Sequence, residues 1–522
     1  MPITPIRGLG MQGVNRDTSA VLQPPESFTD ALNVRFDDGS VGKYNMGHVQ
    51  VFPDLTGAPN PHFGIHWPRP GTRFNIYANE TDVYRVDQAG NMSEISTGST
   101  YSSGARWHGS LFTGGYAVIL NNTVDTPQYI LYGTTGASTE TTLTNLPGWE
   151  YLTGVTTRAR VLRPYRNLLM AANLSQTENS VVTELPSSVR ISNEAAAGSI
   201  PSSWEPDQTA GSTAGTLTIS QTSPIIEMRE LRGQMMVYTE DSIHSISFGG
   251  GTAPTVRDLS TGWGCLAIDC VAEFDGQHFI VDRNDIYTHS GSGGIRSVVD
   301  SKMRKYFFAE LNQAHAENTF VSVNRKEDEI WVCFPNQSAN AQGDCNEALI
   351  WNYRENHWTR RELPNIRAGF QSPFVRNNTF ELADERLYTL SRADSRMYAM
   401  DEGNTFNGTP FTAYIERKRL DPGLDEQTVW MGSMYLLFDA ERTSSSSIQV
   451  YARGQNNFGE DINLTTDRNV YNEDFNPQSN TRGYKVDTRR EGRLINYRIE
   501  STDDQSWLLS GISIKSGPYS GR

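Results

Sequence analysis

Cysteine is scarce in this chain: there are four in 522 residues, and none belongs to a C-x-x-C pair. So few cysteines exclude a disulfide-rich secreted scaffold, which carries several closely spaced pairs. Cys333 lies in the apolar stretch Ile330–Phe334, a setting typical of a small buried hydrophobe. We expect ordinary reduced thiols, with a zinc site or a disulfide as the alternatives.

Long hydrophobic runs are also missing. The apolar runs, such as Tyr116–Leu120 and Met434–Phe438, are about five residues long, whereas a membrane-spanning helix needs roughly 20. The first residues carry neither an apolar stretch of signal-peptide length nor a cleavage-type site. We therefore expect a chain that is made in the cytoplasm and does not insert into a membrane.

Positive charge is in deficit. The sequence has 45 Lys and Arg against 60 Asp and Glu, a formal net charge of −15. Ordinary nucleic-acid binding uses a basic footprint to neutralise phosphates, so this balance argues against it. It leaves open a protein past which DNA must slide, because an acidic surface repels phosphate and does not trap it.

Short β-type segments between turn residues are abundant. From residue 61 to 410 one pattern recurs: a polar residue, an apolar β-former, an aromatic or polar residue, another apolar residue, then Gly or Asp. Its seven copies lie 43 to 64 residues apart and centre on Tyr84, Tyr129, Arg190, His244, Tyr287, Trp351 and Tyr398. Paired short strands with such a period are typical of propeller blades. We predict an all-β fold with a β-propeller-like domain over 61–410, of six or seven blades with an incomplete ring left open; a multi-sandwich protein is the alternative.

The flanking segments differ from the repeat region. Residues 1–60 form a Pro- and Gly-rich N-terminal arm with one hairpin, because Asp38-Gly39 separates two alternating segments and favours a tight turn. Residues 411–522 show long alternating strands, which predict a C-terminal β-sandwich-like domain. The spacing of Val299, Met303 and Phe307 predicts a single helix over 299–311.

Catalytic motifs are missing. No G-x-S-x-G elbow, Walker A loop, H-E-x-x-H or EF-hand loop occurs. The densest acid/base group is Asp275, His278, Asp282, Asp285 and His289, where His278 and Asp282 could meet a metal or a proton. The favoured interpretation is a blade hairpin whose turn is 282–285. We therefore expect no enzyme, no catalytic, cofactor-binding or metal-binding residues, and no cofactor.

Two basic clusters, Arg417-Lys418-Arg419 and Arg489-Arg490 with Arg493 and Arg498, stand beside acidic residues. Strand alternation would place half of each cluster on a solvated face. We expect surface or subunit-interface use of these side chains in preference to nucleic-acid binding.

One region carries a family resemblance. The stretch 3–10 (ITPIRGLG) and the stretch 24–43 (PPESFTDALNVRFDDGSVGK) together resemble the opening of the tail nozzle proteins of short-tailed bacteriophages, also called tail tubular protein B. Members begin with a glycine-containing arm, a proline-led polar stretch and a hairpin in which Asn33 and Gly39 hold the matching positions here. The resemblance covers roughly 45 residues. Members often continue with a basic residue and Pro-Gly, whereas this chain continues with 43–47, KYNMG.

The resemblance implies a structural virion protein. It would form a homohexameric tube below a ring of tail adaptor proteins, with tail fibres as further partners, in the tail of the virion after assembly in the host cytoplasm. Double-stranded DNA would pass through the lumen without sequence-specific binding, held back beforehand by a constriction. The alternative is a carbohydrate- or receptor-binding propeller of a phage tail, glycan-active in one version, with Trp67, Trp107, Trp149, Trp204, Trp263 and Trp358 stacking on sugars.

The acidic excess is unevenly divided along the chain. Residues 1–60 and 411–522 each have a net charge of −2, so residues 61–410 carry −11. An acidic lumen would keep DNA from stalling in phosphate contacts. The division therefore predicts that the repeat region supplies the acidic face of the lumen.

Overall fold

The structure, a computed structural model, describes residues 3–518 apart from 52–59, 69–73, 88–89, 97–100, 104–105, 132–141, 207–211, 221–222, 250–252, 293, 374–384, 423–426, 440–442, 444–445, 458, 460–461, 465–470 and 476–483. The chain is built almost entirely from β-strands, as predicted. Five short strands lie at its N-terminal end: β1 (Ile3–Arg7), β2 (Asp30–Leu32), β3 (Arg35–Asp37), β4 (Ser40–Lys43) and β5 (His48–Gln50).

Antiparallel four-stranded sheets then follow one another along the chain. The first three are β6 (Phe63–Trp67), β7 (Phe74–Ala78), β8 (Val83–Asp87) and β9 (Met92–Glu94); β10 (His108–Phe112), β11 (Ala117–Asn121), β12 (Gln128–Leu131) and β13 (Thr144–Asn145); and β14 (Val155–Tyr165), β15 (Leu168–Glu178), β16 (Val181–Ile191) and β17 (Gly215–Thr218). The next two are β18 (Ile225–Leu231), β19 (Gln234–Thr239), β20 (Ser242–Phe248) and β21 (Pro254–Thr261); and β22 (Val271–Phe274), β23 (Gln277–Val281), β24 (Ile286–His289) and β25 (Arg296–Ser297).

The sixth and seventh sheets share one strand. They contain β26 (Phe320–Asn324), β27 (Glu329–Phe334), β28 (Cys345–Asn352), β29 (His357–Ser372), β30 (Arg386–Ser391) and β31 (Arg396–Met400), followed by the short β32 (Thr405–Phe406) and β33 (Thr409–Pro410). The first half of β29 pairs with β28 and the second half with β30, and the change of partner falls at Ile366. The N-terminal β5 adds the outer strand to the seventh sheet by pairing with β31.

These seven sheets are the blades of a β-propeller. The innermost strands are β6, β10, β14, β18, β22, β26 and the second half of β29, and each contacts the next, with β29 returning to β6. The ring of blades is therefore closed within the described part of the chain. Each of the seven sequence copies coincides with the third strand of one blade, namely β8, β12, β16, β20, β24, β28 and β31. The propeller prediction is confirmed, and the blade number is seven.

The last eight strands build the sandwich. They are β34 (Ala413–Leu420), β35 (Val429–Phe438), β36 (Ser446–Gln455), β37 (Tyr471–Phe475), β38 (Tyr484–Val486), β39 (Arg490–Gly492), β40 (Leu494–Ser501) and β41 (Trp507–Pro518). One sheet has the order β3-β4-β41-β35-β38, with β1 on β41 and β39 on β35, and the other has the order β2-β34-β40-β36-β37. Residues 1–60, set apart in the sequence as an arm, thus contribute strands to both the sandwich and the propeller. The Asp38-Gly39 hairpin is confirmed between β3 and β4, with φ of 46° and 78° at these two residues.

One α-helix occurs among the described residues, and it is shorter than the sequence predicts. It spans α1 (Arg304–Glu310), not 299–311, because Ser301 has a left-handed φ of 58° that interrupts a helical start. The expected face is nonetheless buried: Val299, Met303 and Phe307 are fully enclosed. The Asp17 carboxylate of the N-terminal segment accepts hydrogen bonds from the Arg304 and Lys305 amides at 2.9 and 3.0 Å, so it caps the helix. Short 3₁₀ turns lie at Ala20–Leu22, Thr113–Gly115, Gln313–Asn318 and Arg325–Glu327.

Candidate functional site

The candidate site is the central channel of the propeller, where all seven blades meet. A cavity of about 580 Å³ at one mouth is lined by residues from every innermost strand, among them Ile65, Ser110, Glu273, Ser322 and Gln371. A second cavity, of about 440 Å³, lies at the mouth where these strands begin. Volumes of this size suit small ligands.

An ionic network, which we call the channel plug, lies at the wall of the 580 Å³ cavity, where Arg163 and Arg229 are lining residues. It consists of Arg163 on β14, Glu227 and Arg229 on β18, and Asp269 just before β22. Its central pair, Arg163 and Glu227, is at most 1% exposed, whereas the side chains of Arg229 and Asp269 are 35% and 30% exposed. The Glu227 carboxylate accepts Arg163 Nε at 2.8 Å and Nη2 at 2.6 Å. Asp269 Oδ1 accepts Arg163 Nη2 at 2.9 Å and Arg229 Nη2 at 3.0 Å. The plug therefore links the third, fourth and fifth blades, which are neighbours in the ring.

Every acceptor position of Glu227 is used. Besides Arg163, the Met228 amide donates to Oε1 at 2.7 Å and the Asp269 amide to Oε2 at 2.9 Å. Burial would raise the pKa of Glu227, but Arg163 and Arg229 outweigh it and lower the pKa to about 2. Burial would likewise lower the pKa of Arg163, and the two carboxylates hold it above its ordinary value. An ion pair whose hydrogen-bonding positions are filled and whose groups stay charged near neutral pH has a structural role, because it has no proton to exchange there.

The acid/base group singled out in the sequence forms a blade hairpin. β23 and β24 are joined by residues 282–285, where the Asp282 amide donates to the Asp285 carbonyl at 2.9 Å, so the hairpin interpretation is confirmed. Asp285 accepts from its neighbour Ile286 and from Ser297. Asp275 lies in the preceding turn with a left-handed φ of 43°.

His278 does not meet Asp282 but shares Tyr238 with His289. Tyr238 Oη lies 2.6 Å from His278 Nδ1 and 2.7 Å from His289 Nε2. His289 Nδ1 accepts from the Gly291 amide, so its Nε2–H donates to Tyr238, and the Tyr238 hydroxyl donates to His278 Nδ1. His278 Nε2–H then donates to the Glu230 carbonyl, and each ring carries one proton and is neutral. Burial lowers the pKa of His278 to about 3 and that of His289 to about 4. The cluster is a satisfied part of the core.

Most tryptophans that could have stacked on sugars are core residues. Trp67, Trp107, Trp149, Trp204 and Trp358 are at most 2% exposed, whereas Trp263 is half-buried. A ring without an accessible face cannot stack on a carbohydrate. The glycan-binding alternative therefore loses five of its six proposed platforms.

The cysteines are free and buried, and Cys333 is fully enclosed as predicted. Burial raises the pKa of all four thiols, so none is poised as a nucleophile. Among the described residues, no three His, Cys, Asp or Glu side chains are arranged to hold a metal ion. Within the same residues, no helix has the length and apolarity that a membrane crossing requires.

The basic cluster at 417–419, expected at a surface or a subunit interface, is buried in part: Arg417 is enclosed, while Lys418 and Arg419 are half-buried. Arg417 is fully buried and donates to the side-chain and backbone oxygens of Gln23 at 2.9 and 2.8 Å. Lys418 forms an ion pair with Glu416. Arg498 of the second cluster lies 3.4 Å from the centre of the Tyr414 ring and pairs with Glu500. Arg417 thus holds Gln23 of the N-terminal segment on the sandwich, whereas the side-chain pairs of Lys418 and Arg498 lie within the sandwich itself.

Sequence reasoning missed the channel residues. Arg163 stands among apolar neighbours in β14, and such an isolated charge was the available signal for a buried ion pair. Its partners Glu227 and Asp269 lie 64 and 106 positions away. That these three side chains contact one another follows from the order of the blades and the register of their strands, which the sequence does not reveal.

The fold places the chain among β-propeller proteins, with a β-sandwich attached to the blades. The sequence matches no family model and no curated protein. Among solved structures the chain is similar to the crystal structure of Raptor from Chaetomium thermophilum, with 9% sequence identity and a TM-score of 0.40. The similarity covers 69% of this chain, which spans 29% of the Raptor chain.

Proposed function

We propose that this chain is a structural protein of a short-tailed phage virion: a subunit of a homohexameric tail nozzle through which double-stranded DNA leaves. The observation that carries the proposal is the position of the family-like stretch. Its residues lie at the seam between the propeller and the sandwich, where they determine how the two parts are joined. The resemblance therefore concerns the architecture of the whole subunit.

Asn33 connects the two parts directly. It has a left-handed φ of 55°, its Nδ2 donates to the Thr412 carbonyl at 2.8 Å and to Glu362 of the propeller at 2.8 Å, and its Oδ1 accepts from the Glu362 amide at 2.9 Å. Asparagine tolerates this backbone conformation better than most residues. The side chain cannot be shortened without leaving buried polar groups unpaired.

Arg35 repeats this role two residues later. Its guanidinium pairs with Glu329 on β27 at 2.9 Å and with Asp401 after β31 at 2.9 Å. Burial would lower the pKa of Arg35, but the Asp401, Glu329 and Glu327 carboxylates keep it well above its ordinary value. The hairpin strand β3 is thereby fixed to two blades while it belongs to the sandwich sheet.

A candidate contact between subunits lies on the second and third blades. The hairpin of β15 and β16 exposes Val181 and Val182, which are 66% and 57% exposed. Exposed Leu152 precedes β14, whose first residue pairs with Glu178 beside the hairpin tip, and the carbonyl of exposed Val124 accepts from Arg158 on the same strand. Contiguous exposed apolar side chains mark protein contacts, and a ring needs one such patch to meet a different patch on the next copy.

The charge supports passage of DNA without retention. The net charge of −15 repels phosphate, and the basic cluster at 417–419 points partly inward to Gln23. The function is assembly and gating without bond chemistry. Its partners are the adaptor ring above, tail fibres, and the DNA that crosses the lumen.

Sedimentation velocity over a range of concentrations tests the proposal. We expect a species of six chains, and we expect a V181E/V182E variant to shift toward smaller species because charge enters the contact. L22E is the matched control, since Leu22 is 78% exposed and lies in the N-terminal 3₁₀ turn held against the sandwich. A strict monomer at all concentrations, including in the presence of adaptor rings, would contradict the proposal.

A further inference from the structure

The 440 Å³ cavity at the mouth of the channel is lined by an unusual number of guanidinium groups, and we call it the arginine cavity. Arg106 precedes β10, Arg158 and Arg160 lie on β14, and Arg367 lies on β29. Three blades thus direct basic side chains to one place, in a chain whose net charge is −15.

Most of this positive charge is not neutralised locally. Arg158 pairs with Glu150 at 2.6 Å, whereas Arg106, Arg160 and Arg367 form no salt bridge with any residue that the structure describes. The cavity also contains Glu184 and Glu317, both exposed to solvent. Burial and the neighbouring Arg106 lower the pKa of Arg367 to about 10, as expected for a cation held beside another cation.

His108 provides a second, independent observation. It lines the cavity and is 1% exposed. Its Nε2 accepts from the Leu162 amide and from Asn121 Nδ2, both at 3.3 Å, so the ring proton resides on Nδ1. Nδ1 has no acceptor among the described residues. A buried N–H donor without an acceptor is costly and is rare in a completed structure.

We propose that the arginine cavity binds a small phosphate-bearing anion. Four guanidinium groups line the cavity against the two exposed carboxylates of Glu184 and Glu317, so cationic side chains are in excess. Guanidinium groups recognise phosphate and carboxylate oxygens through paired hydrogen bonds. Arg106, Arg160 and Arg367 come from three different blades and line the site, with His108 in its wall. Arg106 donates one N–H to the Glu317 carbonyl and Arg367 one to the Gly343 carbonyl, which leaves further N–H groups on each guanidinium for a ligand. That arrangement matches a tetrahedral group with several oxygens and two negative charges, whereas a carboxylate offers two oxygens and one charge. This site is independent of the proposed tail function.

Calorimetric titration of the full-length chain with sodium pyrophosphate in a low-salt chloride buffer tests the proposal. We expect saturable binding, weakened about tenfold or more by Arg160→Gln and by Arg367→Gln, because each removes a charged hydrogen-bond donor. Arg257→Gln is the control: Arg257, like Arg160, is exposed, lies on the outer strand β21 of the fourth blade and carries the same charge. It should bind as the wild type does.

Several outcomes would overturn the site. They are the absence of saturable binding, equal weakening in Arg257→Gln, and unchanged binding in Arg160→Gln. Arg160 is exposed, so its variant decides the matter even if Arg367→Gln fails to fold. A glutamate-rich peptide that binds where pyrophosphate does not would also overturn the proposal, because the cavity would then recognise a protein partner.

Discussion

Breaking the channel plug should destabilise the propeller from its axis outward. In Glu227→Gln, an NH₂ group replaces a carboxylate oxygen that accepts two hydrogen bonds, so the N–H donors that bonded this oxygen lose their acceptor. Arg163 also loses its main counter-charge. Both side chains are at most 1% exposed. Removing one partner of such a pair costs about 3–5 kcal/mol. Arg163→Met should cost a similar amount, and the double variant less than the sum, with a coupling of about 2 kcal/mol or more.

Hydrogen exchange measured by mass spectrometry gives the opening free energy of β14 and β18 directly. A global unfolding curve would not, because a chain built from a propeller and a sandwich unfolds in more than one step. The control pair is Arg158 with Glu150, which has the same 2.6 Å separation but is 25% and 34% exposed. Its disruption should cost about 0–1 kcal/mol. Equally small losses of stability on disrupting the Arg163–Glu227 and Arg158–Glu150 pairs would refute the claim that burial strengthens the first pair. Additive losses in the Arg163 and Glu227 variants would refute it as well.

Three further predictions follow. The free energy of unfolding should fall as the pH drops from 6.5 toward 5, because four buried histidines have low pKa values in the folded chain: about 3 for His48, His108 and His278 and about 4 for His289. The unfolded chain therefore binds these protons at a higher pH than the folded chain, which costs about 1 kcal/mol per pH unit for each histidine. A urea midpoint that stays constant over this range would contradict the prediction. Asp17→Ala should lower the stability of α1 by about 1 kcal/mol, because it removes the helix cap. Hydrogen exchange of the helix amides measures this loss, and Asp300→Ala, at an exposed neighbouring residue, should change it little. Fluorescence anisotropy with a DNA duplex at near-physiological salt should show no binding, and tight salt-sensitive binding would contradict the lumen argument.

The repeat pattern was informative because it follows one strand type. The copies at Tyr84, His244 and Tyr398 fall on third strands, each of which is a short segment with apolar and aromatic residues among polar ones. The shared strand β29 could not be foreseen, since it serves two blades in one continuous segment. Likewise, β5 closes the seventh blade from nearly 350 residues away in sequence.

The channel residues were beyond sequence reasoning for a related cause. His108, Arg163 and Arg367 occupy inner strands of different blades, and no local pattern brings them together. The burial of Arg417, in a cluster expected at a surface or a subunit interface, could not be foreseen, because alternation predicts which face a side chain takes but not which segment covers that face. Here Gln23 of the N-terminal segment covers it.

Electron microscopy of the purified chain, alone and with adaptor rings, tests the central proposal most directly. We expect rings of six subunits around a central lumen, which a constriction closes at one level, each subunit showing a seven-bladed disc joined to a sandwich. Single discs without rings, or rings of another subunit number, would contradict the proposal.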